Sequence, residues 1–160
     1  MEKLEYDLRS FVPADTAILR DLLAASFEEL TQADYTEEER VAWVSIAEDS
    51  NAFCKLLEQG MTLVVEVNGD PVGFASLKEN HILNMLYVHP YHVDEGIGTM
   101  LCDALESFAR IQGQTEILVE SSETAVLFFE KRGYLSLQRN SAERYGEWLT
   151  TTTLKKVLNQ

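Results

Sequence analysis

Leu4, Tyr6 and Leu8 alternate with Glu5, Asp7 and Arg9, the period of two that marks a half-buried strand, and Pro13 stops it. From Ala14 the apolar positions move to Leu19, Leu22, Leu23, Phe27 and Leu30, a stripe that predicts a helix over 14–31. Thr36 to Glu39 reads as a capping box, in which the Thr36 hydroxyl accepts from the Glu39 N–H and the Glu39 carboxylate reaches back. A second helix therefore starts there, carries Val41, Trp43, Val44 and Ile46, and gives out near Asp49-Ser50. A third, over 51–59, is expected to stop at Gly60 as a left-handed cap.

Beyond Gly60 the period falls to two again. Leu63, Val65 and Val67 lead into Asn68-Gly69, two residues that tolerate positive φ, so a hairpin of strands 61–67 and 72–79 is predicted. A third apolar run, Ile82 to Val88, ends at His89-Pro90, because the residue before a proline is pushed out of helical space. A polar loop then opens at Gly96-Ile97-Gly98 into a helix bearing Leu101, Ala104, Leu105, Phe108 and Ile111 and closed by Gly113. A strand at 117–119, a helix over 123–132 closed by Gly133, and strands over 134–140 and 145–155 complete the chain. The order β-α-α-α-β-β-β-α-β-α-β-β predicts an α/β (α+β) fold around a mixed sheet. At 160 residues it is expected to be a single domain, 1–160.

Composition narrows the function. A hydrophobic content of 46% supplies a core without staples, and Cys54 and Cys102 read as reduced thiols. The first residues, Met1 to Asp7, lack a cationic leader and no run of apolar residues is long enough to span a bilayer, so a cytoplasmic protein is expected. Thirteen basic residues against 27 acidic give a formal charge of -14, which repels phosphate backbones and anionic lipids, so neither nucleic acid nor membrane is an expected partner. Residues 1–60 hold 14 of the acids and 5 of the bases, which either attracts a cationic ligand or only keeps helix faces solvated. His81, His89 and His92 lie close in sequence, but no cysteine or acid completes a ligand set, and no metal is expected.

The loop from Val93 to Thr99 carries the chemistry. Glycines let backbone approach a ligand, and the unpaired N–H groups of a first helical turn, with the positive end of the macrodipole, suit a phosphate or pyrophosphate. A dinucleotide fingerprint needs a small residue where Leu101 stands, and no Gly-Lys-Ser/Thr is present, so neither NAD nor ATP is supported.

Val88-His89-Pro90, Gly96-Ile97-Gly98 and Phe128-Phe129-Glu130-Lys131-Arg132-Gly133-Tyr134 together resemble the GNAT superfamily of acyl-CoA-dependent N-acyltransferases. With His81 to Val88 and Ser121-Ser122, the chain is similar especially to the small bacterial YafP-type branch. The match is good over 61–150 and loose over the N-terminal helices. The resemblance implies a mostly antiparallel sheet flanked by helices, with a splayed strand pair opening a cleft for acetyl-CoA as acyl donor. Pantetheine would pair with the backbone of Leu86, Tyr87 and Val88, pyrophosphate would sit on Val93, Asp94, Glu95, Gly96, Ile97, Gly98 and Thr99, and Ser122, Phe128, Phe129 and Lys131 would flank the rest. A primary amine of a small, cationic acceptor would attack the thioester directly. Dimerisation through the C-terminal strands is a further implication, with Thr150 to Thr153 as a paired edge.

Departures from the family pattern sharpen the chemistry. Val93 replaces a Gln or Arg, and Asp94 and Glu95 bring negative charge beside a diphosphate, which weakens affinity unless both side chains turn to solvent and leave their amides inward. Phe129 stands at a usual tyrosine and cannot protonate a thiolate, so solvent, Tyr87, Tyr134 or Tyr145 must. Base candidates are Glu120, His81, and Asn84 acting through an ordered water. Trp43, with Trp148, Tyr35 and Phe53, is a candidate for an aromatic acceptor wall, Phe53 reading rather as core, and Tyr145 lies in the region expected to set specificity. The other reading of the same residues is a coenzyme-binding or interaction module without turnover.

Overall fold

A computed structural model describes residues 4–159. The alternating N-terminal segment forms β1 (Tyr6–Ser10), and the apolar stripe forms α1 (Thr16–Leu30), which buries Leu19, Leu22, Leu23 and Phe27 and leaves Leu30 exposed at its end. The capping box at Thr36 is formed from both sides: the Glu39 N–H donates to the Thr36 hydroxyl at 3.1 Å and the Thr36 N–H donates to the Glu39 carboxylate at 2.8 Å. It starts α2 (Glu37–Val44), which relaxes into a 3-10 turn over Ser45–Ala47 before α3 (Ser50–Glu58).

Asn68 and Gly69, at φ of 52° and 90°, make the expected tight turn between β2 (Met61–Val67) and β3 (Asp70–Lys78). β4 (Ile82–Val88), α4 (Ile97–Ile111), β5 (Glu116–Ser122) and α5 (Val126–Lys131) follow. β6 (Leu135–Arg144) runs longer than predicted and β7 (Glu147–Val157) is displaced two residues along the chain, because Tyr145 and Gly146 form a second hairpin turn at φ of 52° and 86°. Gly60 departs from expectation. Its φ is not positive, and the position excludes a side chain for another reason: a Cβ there would lie 2.1 Å from the Leu77 carbonyl oxygen.

The strands form one sheet in the order β1-β2-β3-β4-β5-β7-β6, antiparallel throughout except between β4 and β5. Each face carries its own core. α4 and α5 cover Val65, Ala75, Leu77, Leu83 and Val119, whereas α1 and α3 cover Val64, Phe74 and Met85. β7 lies inside the sheet, so Thr150 to Thr153 pair with β5 and β6 and the exposed edge belongs to β6.

Two features fix α4, whose first turn carries the glycine loop. Gly73 on β3 lets the helix settle: a Cβ there would meet Ile97 Cγ2 at 2.6 Å and the Tyr87 carbonyl oxygen at 3.3 Å. Because Ile97 is fully buried and β-branched, it has little room to yield, and Gly73→Ala is expected to cost about 1–3 kcal/mol, read as a lowered melting temperature. Further along, Glu106 is buried and accepts from Lys156 at 2.8 Å, from Arg132 at 2.8 Å and from the Tyr134 hydroxyl at 2.9 Å. Four charged or polar groups thereby tie α4 to α5 and β7.

Candidate active site

β4 and β5 pair only at Ile82 with Leu118 and Leu83 with Val119, then part. From Asn84 onward the side of β4 facing β5 has no strand partner, and its backbone donors and acceptors line an opening. A bulge lies at that point: Ser76 opposes Met85 and the next residue, Leu77, opposes Leu83, which leaves Asn84 as the extra residue. The bulge also switches faces. Leu83 packs with the α4 core and Met85 with the α1 core, although a regular strand would put both on one side. Asn84 Oδ1 is buried without a hydrogen-bond partner among the described residues, a state that costs about 1–3 kcal/mol unless a ligand completes it.

The opening joins two cavities through a narrow waist of about 50 Å³ lined by Asn84, Leu86, Tyr87, Glu120, Ser122 and Phe129, among others. On the α4 side lies a cleft of about 650 Å³. Its floor is Leu86, Tyr87 and Val88, its rim is the loop of Val93, Asp94, Gly96, Ile97, Gly98 and Thr99, and Ser122 and Phe128 close it. Asp94 and Gly96 both have positive φ, 63° and 84°, which turns the backbone sharply at the start of α4, the kind of bend from which anion nests are built. Gly98 keeps this wall thin, since a Cβ would press on the Phe128 ring at 3.3 Å.

The two acids of the loop are placed differently. Glu95 does not line the cleft; its carboxylate accepts from the Tyr6 hydroxyl at 2.6 Å and lies 3.1 Å from His92 Nδ1. These partners, Tyr6 first, hold its carboxyl below the usual range. Asp94 does line the cleft, so of the two acids expected beside a diphosphate only one is there. Lys131 is exposed and outside the cleft, and Phe129 is buried at the waist instead of flanking the cleft. Ser26, Phe27 and Leu30 of α1, with Thr31 just beyond it, complete the cleft; Phe27 and Leu30 read from the sequence only as a helix's apolar stripe.

On the α2 side lies a chamber of about 380 Å³. Trp43, Asn84, Tyr87, Glu120 and Tyr145 line it, so four of the expected catalytic or acceptor residues and Tyr87 meet in one place. Trp43 stacks on Phe27 at 4.5 Å and donates its indole N–H to the Tyr87 hydroxyl at 2.9 Å. Tyr87 lines all three cavities, and burial pushes its hydroxyl pKa up to about 12 despite the indole bond. It therefore remains a proton donor at neutral pH. Asn140 and Arg144, from the 140–150 region expected to set specificity, also line the chamber, as does Lys78 at the end of β3, which no sequence pattern marked.

Two catalytic candidates lie elsewhere. Tyr134 is buried against Phe129 and its hydroxyl is committed to Glu106, behind the waist. His81 sits in the turn before β4 with Nδ1 on the Glu79 carbonyl at 2.8 Å and lines none of the cavities described. Trp148 is exposed, Phe53 is core, and Tyr35 is buried, donating to the Thr150 carbonyl and accepting from the Glu123 N–H. Among the described residues no metal-binding cluster occurs, and no helix is long and apolar enough to cross a membrane.

A parallel strand pair that splays at a bulge above a glycine-rich helix start is a family-level arrangement, and the family profile described as Acetyltransferase (GNAT) domain matches residues 31–158. The chain belongs to the GNAT acetyltransferase family. It is thus an acyltransferase by class. Over 143 residues it is 28% identical to the uncharacterized N-acetyltransferase YafP of Escherichia coli K12, covering 89% of this chain and 90% of that one. A GCN5-related N-acetyltransferase from Rhodopseudomonas palustris superposes with a TM-score of 0.94 at 45% identity, over 95% of each chain. YncA of Salmonella typhimurium, a putative acetyltransferase solved with acetyl-CoA, shares the fold at a TM-score of 0.66 and 20% identity, over 98% of this chain and 95% of that one.

Proposed function

We propose that this chain, acting as one domain over 1–160 in the cytoplasm, moves the acetyl group of acetyl-CoA to a primary amine of a small acceptor. The observation that carries the reading is the pair of cavities meeting at Asn84 and Tyr87, one walled by the glycine loop and the other by side chains. Leu86, Tyr87 and Val88 offer unpaired strand backbone to a pantetheine arm, and the amides of Val93 to Thr99 face the diphosphate end. Acetyl-CoA supplies an activated thioester carbonyl. Attack by the neutral amine forms the C–N bond, the C–S bond breaks, and one proton leaves nitrogen while one reaches sulfur.

Asn84 Oδ1, unpartnered at the waist, accepts from the amine or from a water beside it, and Glu120 takes the departing proton toward solvent. Tyr87 protonates the sulfur, taking the part that Phe129 cannot play. Asn84→Ala is therefore expected to leave the melting temperature unchanged or slightly raised, because a buried acceptor without a partner is removed, while kcat falls about tenfold or more. A melting curve beside a thiol-release assay checks both halves.

Calorimetry and thermal shift test the reading as a whole. Acetyl-CoA at 100 times its Kd is expected to stabilise the fold by about 2.7 kcal/mol, and an amine panel is expected to release thiol. A shift without thiol release from any amine would favour the coenzyme-binding module, and no shift at all would end the proposal.

A further inference from the structure

The charges lining the acceptor chamber do not match the charge of the chain. Acids outnumber bases 27 to 13 overall, yet the chamber is lined by two cations, Lys78 and Arg144, and one acid, Glu120. None of the acids in residues 1–60 lines it; that segment contributes Leu23, Ala42, Trp43 and Ile46. The expected attraction of a cationic ligand to the N-terminal acids has no counterpart in the chamber.

The two cations are also free. Among the described residues neither Lys78 nor Arg144 forms an ion pair or a side-chain hydrogen bond, whereas Arg9, Arg132, Arg139, Lys155 and Lys156 each pair with a carboxylate. Arg144 stands at the end of β6 and Lys78 at the end of β3, directly opposite Ile82 on β4. Two strand residues, about 7 Å, separate Ile82 from Asn84 at the waist. The rest of the lining is largely apolar, with Ile46, Ile82 and Leu149, and adds only the uncharged Asn140 and Thr151 beside the aromatic residues.

Resting on the acetyl-transfer reading for the reacting end, we propose that the acceptor is a primary amine whose far end carries a small anionic group, a carboxylate or a phosphate, held by Lys78 and Arg144. The amine enters toward Asn84 and Glu120, a short aliphatic body fills the apolar stretch, and the anion stays at the rim. The reverse orientation sets an ammonium beside two cations, and an acceptor cationic at both ends does the same with its second charge. Such like-charge contacts are disfavoured at a cavity mouth, where walls of low polarity reduce screening. Guanidinium geometry suits either anion, since both accept a two-pronged hydrogen bond.

Acceptors of one length separate the possibilities: 5-aminopentanoate, an aminoalkyl phosphate of matching reach, pentylamine and 1,5-diaminopentane, each assayed for thiol release from acetyl-CoA. The better anionic amine is expected to exceed pentylamine by about tenfold or more in kcat/KM, with the diamine below both. In the Lys78→Gln, Arg144→Gln double variant that ratio is expected to fall toward one, and each single variant to show part of the fall. A coenzyme A-induced melting shift equal to that of the parent certifies the variants as folded. Equal or better turnover of pentylamine or the diamine, or a ratio that survives the double substitution, overturns the proposal. If no acceptor releases thiol, calorimetric titration of 5-aminopentanoate into protein holding coenzyme A decides. Binding that the double variant loses upholds the anion site and counts against acetyl transfer alone; no binding overturns the anion site.

Discussion

Glu106→Ala is expected to destabilise the fold by about 3–5 kcal/mol, because it strips the shared acceptor from Arg132, Lys156 and Tyr134 and leaves Lys156 without a carboxylate and Arg132 with Asp103 alone. At roughly 2–4 °C per kcal/mol for a chain of this size, the melting temperature should fall by about 6–20 °C. Burial alone would raise the Glu106 carboxyl, but hydrogen bonds from Lys156, Arg132 and Tyr134 outweigh it and hold the group below its ordinary value of 4.5. A depressed folded pKa means that the stabilisation is complete above the unfolded value and is lost as pH falls through the folded one. The difference between the parent and Glu106→Gln in denaturant melts should therefore be constant from neutral pH down to about 5 and shrink below it. A difference that grew in acid would contradict the arrangement.

Tyr87→Phe is expected to lower kcat about 100-fold while changing the melting temperature little. The lower end of general-acid effects applies, because a thiol of pKa near ~8.5 leaves tolerably well as its anion. Loss of the acceptor for the Trp43 indole costs a further ~1 kcal/mol of stability. Since the phenyl ring keeps its contact with Phe74 at 5.5 Å, acetyl-CoA affinity should be nearly unchanged, and the loss should sit in kcat and not in KM for the donor. An equal loss in Trp43→Phe, which leaves the Tyr87 hydroxyl in place, would mean that packing at the waist and not proton donation limits the rate.

Features with local causes were legible in the sequence. The capping box at Thr36, the Asn68-Gly69 turn and the glycine start of α4 each depend on a few adjacent residues, and each stands where expected. The bulge followed from the family resemblance and not from the residue pattern, because β4 is apolar on both faces and Ile82 to Val88 reads the same with or without a change of face. Gly60 read as a helix cap, when its cause is a carbonyl from β3 that no local pattern announces. Tyr134 was assigned to the chemistry for want of one clue: Glu106 interrupts the buried stripe of Cys102, Leu105 and Ala109 on α4, and a lone acid in such a stripe needs donors, of which the Tyr134 hydroxyl is one. Lys78 reaches the chamber from the interior strand β3 and Arg144 from the edge strand β6, so only the topology brings them to one cavity.

The extra residue in β4 has a consequence for how this enzyme can vary. Deleting Asn84 would rejoin a regular strand in which Leu83 and Met85 already take opposite sides, so both helical layers would keep their residues and only the irregularity beside the opening would be lost. The extra residue is thus a demand of the cleft and not of the cores: the two hydrophobic layers would tolerate its loss, and what it maintains is the gap through which a donor and an acceptor could meet.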